Sequence, residues 1–238
     1  LSAAITAFLA LGMNIREAAK SGKQYVEDSI RFALEVGQGY PVPDHFNRLS
    51  RESQRYSLIM EMLDTLEKMK EANIGELIPE VQSNMAAALP GAKDHSDIAG
   101  FPGRLVKFGK SIVNIGYPHF GASKHVANIV LAAMKYNPEK RAAMNIKYSP
   151  EILEAAKRVG FTMASFDRKQ EPQRIKNQEG SSLEWGTEWA IKASGTVPDL
   201  VYDMGDVGKE PMIRLIAESP SKLGEKLLLL NRSLSGEK

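Results

Sequence analysis

The sequence predicts an α/β fold in which one β-sheet is covered by helices on both faces. From residue 77 onward, short apolar runs typical of buried strands alternate with longer segments whose apolar residues recur at helical spacing. Ser149-Pro150 and Ser219-Pro220 each place a serine before a proline, which is a favoured helix start. With 238 residues, 43% of them hydrophobic, the chain can form one substantial core or one domain with an appendage.

The first 48 residues are predicted to be helical and to form a separate part. Apolar residues recur at helical spacing in residues 1–11 and 18–34, and Gly12-Met13-Asn14 interrupts the pattern between them. A turn-rich stretch follows at residues 37–43, so we divide the chain into residues 1–48 and 49–238. A long amphipathic helix is then expected over residues 51–72.

The remaining elements are assigned from the same patterns. Strands are predicted over residues 77–89, 104–108, 111–115, 142–148, 161–166, 200–204 and 212–217. Helices are predicted over residues 122–136, 150–159, 183–193 and 220–230.

Composition excludes several functional classes. Without cysteine there can be no disulfide, thiolate catalysis or cysteine metal site. The net charge is +2 with interleaved signs, which disfavours nucleic acid as a partner, and no apolar window is long enough to predict a membrane span. The histidines form no zinc motif, and neither a Gly-x-Ser-x-Gly elbow nor a Walker loop occurs. The remaining candidate residues can bind anions, and none is an evident nucleophile. This combination favours transfer chemistry in which a phosphate or pyrophosphate group is bound and released.

A first candidate loop, residues 99–104, places Arg104 directly after Gly103 at the start of a predicted strand. The guanidinium group is a planar fork that suits phosphate oxygens. A surface arginine on an ordinary hairpin turn is the alternative.

A second candidate loop, residues 117–127, leads through Gly121 into a predicted helix. Ser123, Lys124 and His125 fall in the first turn, where cations oppose the helix dipole. An anion held at that helix end would remove the conflict, and His125 could donate a proton to a leaving group. A solvated helix start remains the alternative.

A third candidate loop, residues 203–211, follows an apolar strand, and open α/β sheets tend to bind ligands at the carboxyl ends of strands. Gly205 and Gly208 could form a backbone nest for an anion. Asp203 and Asp206 are candidate Mg²⁺ ligands, although for either aspartate taken alone an ordinary acidic turn is the favoured interpretation.

Two further positions carry polar groups in unusual places. Asp167 and Arg168 end another predicted strand, where they can form a surface ion pair or part of a site. Asn145 is the polar exception in an apolar strand, residues 142–146.

These stretches together resemble the archaeal-type thiamine phosphate synthase domain called ThiN. The resemblance covers residues 76–230, and its recurrent stretches appear in the family's order at residues 78–81, 84, 88–92, 101–104, 120–127, 144–149, 165–168, 198–199, 202–206 and 208–212. Residues 1–45 resemble the last helices of the ribokinase-like hydroxymethylpyrimidine phosphate kinase. The anion-hole motif of that kinase is missing, so kinase activity is not expected.

The resemblance implies an enzyme that joins hydroxymethylpyrimidine diphosphate to hydroxyethylthiazole phosphate, with Mg²⁺, giving thiamine phosphate and pyrophosphate. It implies a three-layer α/β/α sandwich with a mixed sheet, of the class II aldolase/AraD type, in a cytoplasmic homodimer. A thiamine phosphate sensor without catalytic activity is the alternative. Arg104 and His125 are the implied catalytic pair, and the implied substrate-binding residues are Asn84, Gly103, Gly121, Ser123, Lys124, Asn145, Asp167, Gly208 and Lys209.

Overall fold

The computed structural model describes residues 1–176 and 181–236. It divides into two compact units, Leu1–Tyr56 and Ser57–Lys238. Within the described residues, no helix combines the length and apolar character needed to cross a membrane.

The first unit contains the helices α1, Ser2–Ala10, and α2, Ile15–Arg31. The predicted interruption at residues 12–14 is confirmed. The side-chain amide oxygen of Asn14 caps α2 by accepting the backbone N–H of Glu17 at 3.0 Å. The helix α3, Asn47–Glu71, starts in this unit and continues into the second.

The second unit contains the remaining elements. Its strands are β1 Met85–Ala88, β2 Ile98–Gly100, β3 Leu105–Phe108, β4 Ser111–Asn114, β5 His119–Phe120, β6 Ala142–Lys147, β7 Met163–Ser165, β8 Leu200–Asp203 and β9 Met212–Ala217. Its helices are α4 Lys124–Met134, α5 Pro150–Arg158, α6 Gln173–Lys176, α7 Ser181–Ser194 and α8 Pro220–Ser235.

Seven of the strands form one mixed sheet in the order β5-β2-β1-β6-β9-β8-β7. The pair β7–β8 is parallel, and the other neighbouring pairs are antiparallel. The strands β3 and β4 form a separate antiparallel hairpin. The predicted α/β class and the mixed sheet are therefore confirmed.

Two apolar cores lie on opposite faces of this sheet because successive strand side chains point to opposite sides. One core joins the sheet to α3, α5 and α8 and includes Met62 and Leu66 of α3. The other joins the sheet to α4 and α7, and it includes Ala143 of β6 and Ile216 of β9. Helices therefore cover both faces, as the alternating pattern predicts.

The strand predicted over residues 77–89 is largely wrong. A 3-10 turn occupies Ile74–Leu77, and β1 begins only at Met85. Between them, Gln82 has a left-handed backbone with φ of 66°, and the backbone N–H groups of Glu80 and Val81 donate to the carboxylate of Glu210. This segment is therefore a loop fixed by side-chain contacts.

Candidate active site

A cavity of about 660 Å³ lies in the second unit and gathers most of the predicted site residues. Segments far apart in the sequence meet around it, as expected for a binding site built on a sheet. The predicted residues in its wall are Asn84, Gly103, Arg104, Ser123, Lys124, His125, Asn145, Gly208 and Lys209. Gly121, Asp167, Asp203 and Asp206 are not part of the wall.

The sheet contributes two polar residues on the face covered by α4 and α7. Asn145 of β6 lies opposite Arg214 of β9 in the antiparallel register, so the two side chains share one face. Two residues away on the same face, Ala143 and Ile216 belong to the apolar core. The face thus changes from apolar to polar along the strands, and the cavity occupies the polar end.

Asn145 continues the β1–β6 ladder with its side chain. Its Oδ1 accepts the backbone N–H of Asn84 at 2.8 Å, and its Nδ2 donates to the carbonyl of Gln82 at 3.0 Å. The polar residue in this strand is therefore explained by the adjacent loop, whose main chain it holds. Asn145 positions the cavity wall through these bonds.

Asn84 fixes the loop that carries Arg104. Its Nδ2 donates to the carbonyl of Phe101 at 2.8 Å, and its Oδ1 accepts the N–H of Phe101 at 3.1 Å. Gly103 and Arg104 then adopt left-handed backbones with φ of 70° and 73°. This conformation costs an arginine about 1 kcal/mol. Such strain, stored at Arg104 on the cavity wall, is typical of functional positions.

The Arg104 side chain is exposed, and its Nη1 donates to the carbonyl of Val81. The guanidinium group keeps further N–H donors because it carries five. The loop thus holds a cationic fork at the cavity wall, in agreement with the sequence-based expectation for its position.

The amino end of α4 supplies the second predicted group. Ser123 is the N-cap residue, and its side chain makes no capping hydrogen bond within the described chain. Lys124 and His125 follow in the first turn and are exposed. A Cβ on Gly100 would lie 2.7 Å from the Cβ of Ser123, so glycine at this β2 position permits the close approach of the helix end. The unbonded N–H groups of such a helix end favour an anion.

A buried ion cluster underlies the cavity; the sequence singled out Arg168 and Asp203 but neither Arg214 nor the pairing of the three. Asp203 accepts the Nε–H of Arg168 at Oδ1 at 2.5 Å, and its Oδ2 lies 2.6 Å from Nη2 of Arg214. Arg168 and Arg214 line the cavity. Because β7 and β8 are parallel, their carboxyl ends meet at one edge, which brings Arg168 beside Asp203.

Asp203 and Arg214 both stay charged near neutral pH. Burial acts to raise the pKa of Asp203, but the guanidinium groups of Arg214 and Arg168 together outweigh it and lower that pKa below its usual value. Burial lowers the pKa of Arg214 to about 10, although Asp203 acts in the opposite direction. The cluster therefore carries two positive charges and one negative charge.

The predicted Mg²⁺ ligands are not supported by this geometry. Asp203 has no exposed surface, and both of its carboxylate oxygens are bound to guanidinium groups. An oxygen of Asp206 accepts the backbone N–H of Val207 at 2.8 Å. Among the residues that the structure describes, no group of three or more histidine and acidic side chains is placed to hold a metal. The acidic pair does not fit a magnesium site.

Two other predicted residues have local roles. Asp167 accepts the backbone N–H of Lys169 at 2.9 Å and caps a 3-10 turn. Gly121 has a left-handed φ of 81° just before α4. Both support neighbouring wall segments, and neither faces the cavity.

The sequence did contain a signal for Arg214. It is the one charged residue in the run Met212–Ala217, which forms a buried strand. A charge inside such a run requires a partner or a ligand. Ser83, which is fully buried and also lines the cavity, carried no comparable signal.

The cavity groups fall into two sets, defined here by their exposure. The exposed rim groups are Arg104, Lys124, His125 and Lys209. The buried floor groups are Ser83, Arg168 and Arg214. The wall also contains the acid Glu210, whose carboxylate accepts the backbone N–H groups of Glu80 and Val81. The arrangement suits molecules that carry several negative charges.

Comparison with known proteins decides the family. A sequence model of the family described as thiamine-phosphate synthase ThiN matches residues 59–229. The chain belongs to the ThiN family. Its ThiN domain therefore contains the whole cavity, from Val81 to Arg214.

Individual relatives agree with this assignment. The bifunctional thiamine biosynthesis protein ThiDN of Methanocaldococcus jannaschii is 39% identical over 97% of this chain, which spans 52% of that relative's length. The thiamine-phosphate synthase ThiN of Methanothermobacter thermautotrophicus is 34% identical over 75% of this chain and 93% of its own length.

A solved structure also matches the ThiN domain. The crystal structure of the C-terminal domain of phosphomethylpyrimidine kinase aligns with a TM-score of 0.69 and 41% identity, covering 74% of this chain and 98% of that one. The resemblance found in the sequence is therefore confirmed at the level of the family.

Proposed function

We propose that the ThiN domain joins hydroxymethylpyrimidine diphosphate to hydroxyethylthiazole phosphate, releasing pyrophosphate and forming thiamine phosphate. The observation that carries this proposal is the convergence of rim and floor cations on one cavity. Both proposed substrates bear phosphate groups, and cations placed where negative charge develops lower the barrier of such a transfer.

The proposed reaction needs no protein nucleophile. The thiazole nitrogen attacks the methylene carbon of the pyrimidine, forming a C–N bond with its lone pair. The C–O bond to the diphosphate breaks, and its electron pair leaves with pyrophosphate. The protein holds the two substrates together and stabilises the departing charge.

Arg104 is the proposed clamp for the diphosphate because its exposed guanidinium group offers several parallel N–H donors at the rim. His125 is proposed to donate a hydrogen bond or a proton to the same leaving group. The amino end of α4, with Ser123 and Lys124, adds backbone donors and a cation.

Mg²⁺ remains part of the proposal as a companion of the diphosphate. Because Asp203 is bound to two arginines, a protein carboxylate at that position does not supply its ligands. Diphosphate oxygens and water are ligands that Mg²⁺ accepts readily.

Four further expectations from the family resemblance belong to this proposal. They are a sandwich of the class II aldolase/AraD type, a homodimer, a cytoplasmic location and a ribokinase origin for residues 1–48. The mixed sheet with helices on both faces supports the first of them.

The activity is tested directly by mixing the purified chain with both substrates and Mg²⁺. Thiamine phosphate is then measured after oxidation to its fluorescent product, with reactions that lack one substrate as controls. Formation that requires both substrates is expected. Tight binding of thiamine phosphate without any turnover would instead support the sensor alternative.

A further inference from the structure

The floor groups carry more positive charge than the protein neutralises. Arg168 and Arg214 share the single carboxylate of Asp203. Only 1% of the Arg214 side chain and 7% of the Arg168 side chain are exposed. Burying a charge without a partner is unfavourable, because water no longer solvates it. The excess charge of the floor therefore calls for an anion.

Two buried polar atoms at the floor also lack partners. Within the described residues, Nε of Arg214 and Oγ of Ser83 have no hydrogen-bond partner. Both residues line the cavity. Buried polar atoms normally have hydrogen-bond partners. A buried donor without a partner beside a cavity therefore indicates that a ligand group binds there.

The neighbouring acids do not supply the missing anion. The carboxylate of Glu210 is occupied by the backbone of Glu80 and Val81. Glu171 does not line the cavity; its Oε2 lies 4.0 Å from the Lys209 ammonium group, and its buried Oε1 has no hydrogen-bond partner among the described residues.

An aromatic ring holds the two guanidinium groups in place. The Phe166 ring centroid lies 5.7 Å from the Cζ of Arg168 and 5.1 Å from the Cζ of Arg214. The ring itself packs edge-on against Trp185. These contacts make the floor rigid, which suits recognition of a small anion of fixed shape.

We propose that the floor groups form a subsite for a phosphate monoester, which is the phosphate of the thiazole substrate and of the thiamine phosphate product. This assignment rests on the proposed function. The donors would be Ser83 Oγ and Arg214 Nε, with Arg168 adding charge. The diphosphate is assigned to the exposed rim groups.

The difference in exposure supports this division of the two ligands. Pyrophosphate must leave the protein in each turnover, so cations at the exposed rim can release it to water. The phosphate monoester undergoes no bond change in the reaction, so a buried binding site can hold it in a fixed orientation. Orientation of this kind places the thiazole nitrogen for attack.

The test uses Ser83→Ala, which removes one unpartnered hydroxyl without leaving a buried polar atom behind. We expect the KM for thiazole phosphate and the Kd for thiamine phosphate to rise about tenfold or more, as the loss of a hydrogen bond to a charged group implies. The KM for pyrimidine diphosphate and the unfolding temperature should stay unchanged.

Thr65→Val is the matched control, because Thr65 Oγ1 is also buried without a partner in the described chain but does not line the cavity. Thr65→Val should change neither the KM for thiazole phosphate nor the Kd for thiamine phosphate. An unchanged KM for thiazole phosphate in Ser83→Ala, or a loss that falls on pyrimidine diphosphate instead, would overturn the assignment.

A second variant tests the guanidinium group. Arg214→Lys keeps the charge but removes Nε, so thiamine phosphate should bind more weakly while thiamine, which has no phosphate, binds as before. Isothermal titration calorimetry measures both, and inorganic phosphate is the smallest probe. Equal losses for thiamine and thiamine phosphate would contradict the subsite.

The proposed function and this inference can fail separately. Absence of turnover in the unmodified chain contradicts the synthase, whereas the calorimetric comparison of thiamine phosphate with thiamine needs no turnover. If the unmodified chain turns over, but Ser83→Ala and Arg214→Lys bind thiamine phosphate as tightly as it does, the floor subsite is wrong and the synthase proposal stands.

Discussion

Arg104 illustrates how a single residue can be placed for chemistry at the expense of local stability. Its left-handed backbone is unfavourable for any residue except glycine, yet its side chain is exposed and contributes little to the core. Replacement should therefore affect the reaction far more than the fold.

We predict that Arg104→Ala lowers kcat for thiamine phosphate formation about 100-fold or more, as the removal of a charge-stabilising donor does elsewhere. Arg104→Lys should recover part of this loss, because it restores the charge but not the fork. Steady-state kinetics measures the effect, and thermal unfolding should show intact folding. Near-normal turnover of Arg104→Ala would refute the clamp.

Asp203 has the opposite character, since it is buried and stabilises the floor. We predict that Asp203→Asn lowers the free energy of unfolding by about 3–5 kcal/mol near neutral pH, because two buried guanidinium groups lose their counterion. Asp64→Asn is the control: its pair with Lys68 is exposed, so its removal should leave the free energy of unfolding nearly unchanged.

The pH dependence of this difference follows from the lowered pKa of Asp203. A carboxyl group whose pKa is lower in the folded state stabilises the fold above its unfolded pKa, and this contribution disappears as the pH falls through the folded pKa. The difference in the free energy of unfolding between the unmodified chain and Asp203→Asn should therefore stay constant above about pH 4 and become smaller below it. Urea unfolding at a series of pH values measures it, and a difference independent of pH would contradict the ion cluster.

At the scale of elements, the sequence predicted the long helices and the central strands well. The strand over residues 212–217 is found as predicted, and the serine caps of α5 and α8 accept the expected backbone N–H groups. These elements are long or begin with a capping residue, so a short stretch of sequence is enough to recognise them.

Short elements escaped the sequence analysis for a physical reason. The strands β2 and β5 contain three and two residues, too few for an alternating pattern to show. The loop at residues 78–84 resembles a strand in composition, yet Asn145 and Glu210 hold it by side-chain contacts across long sequence separations. Contacts of that kind exist only in the folded chain.

The same limit applies to the candidate site. The glycine-bordered loops identified Arg104 and His125, because turn glycines and a helix start are visible in the sequence. The floor was missed because the partnership of Arg168, Asp203 and Arg214 depends on strand order in the sheet. The misassigned metal role of Asp203 has the same origin.

The contact between β2 and the start of α4 gives an element-scale prediction. Gly100→Ala would place a Cβ 2.7 Å from the Cβ of Ser123 and push the helix end outward. We expect a loss of about 1–3 kcal/mol in stability, together with reduced kcat because Lys124 and His125 move.

Gly39→Ala is the control, because its Cβ would meet nothing within 4 Å. Thermal unfolding and steady-state kinetics of both variants measure the effect. Gly100→Ala with unaltered stability and turnover would show that the helix end tolerates displacement.

At the scale of the whole molecule, α3 determines where the chain can be divided. Its second half places Leu58, Met62, Leu66 and Met69 in the core of the second unit. Removal of each such side chain typically costs about 2–5 kcal/mol, so losing all of them exceeds the usual stability of a domain.

We therefore predict that a fragment of residues 47–238 folds cooperatively and forms thiamine phosphate, whereas a fragment of residues 73–238 does not fold. Circular dichroism during urea unfolding and the fluorescence assay measure the two properties. A folded fragment that starts at residue 73 would show that α3 is dispensable.

The pairing of Asn145 with Arg214 has a consequence for how the chain reaches its native state. A slip of β9 by one position against β6 would turn the guanidinium toward the opposite, apolar layer and bring Ile213 or Leu215 into the cavity. Such a misaligned chain would bury an uncompensated charge, so the arginine that serves the ligand also penalises incorrect strand alignment during folding.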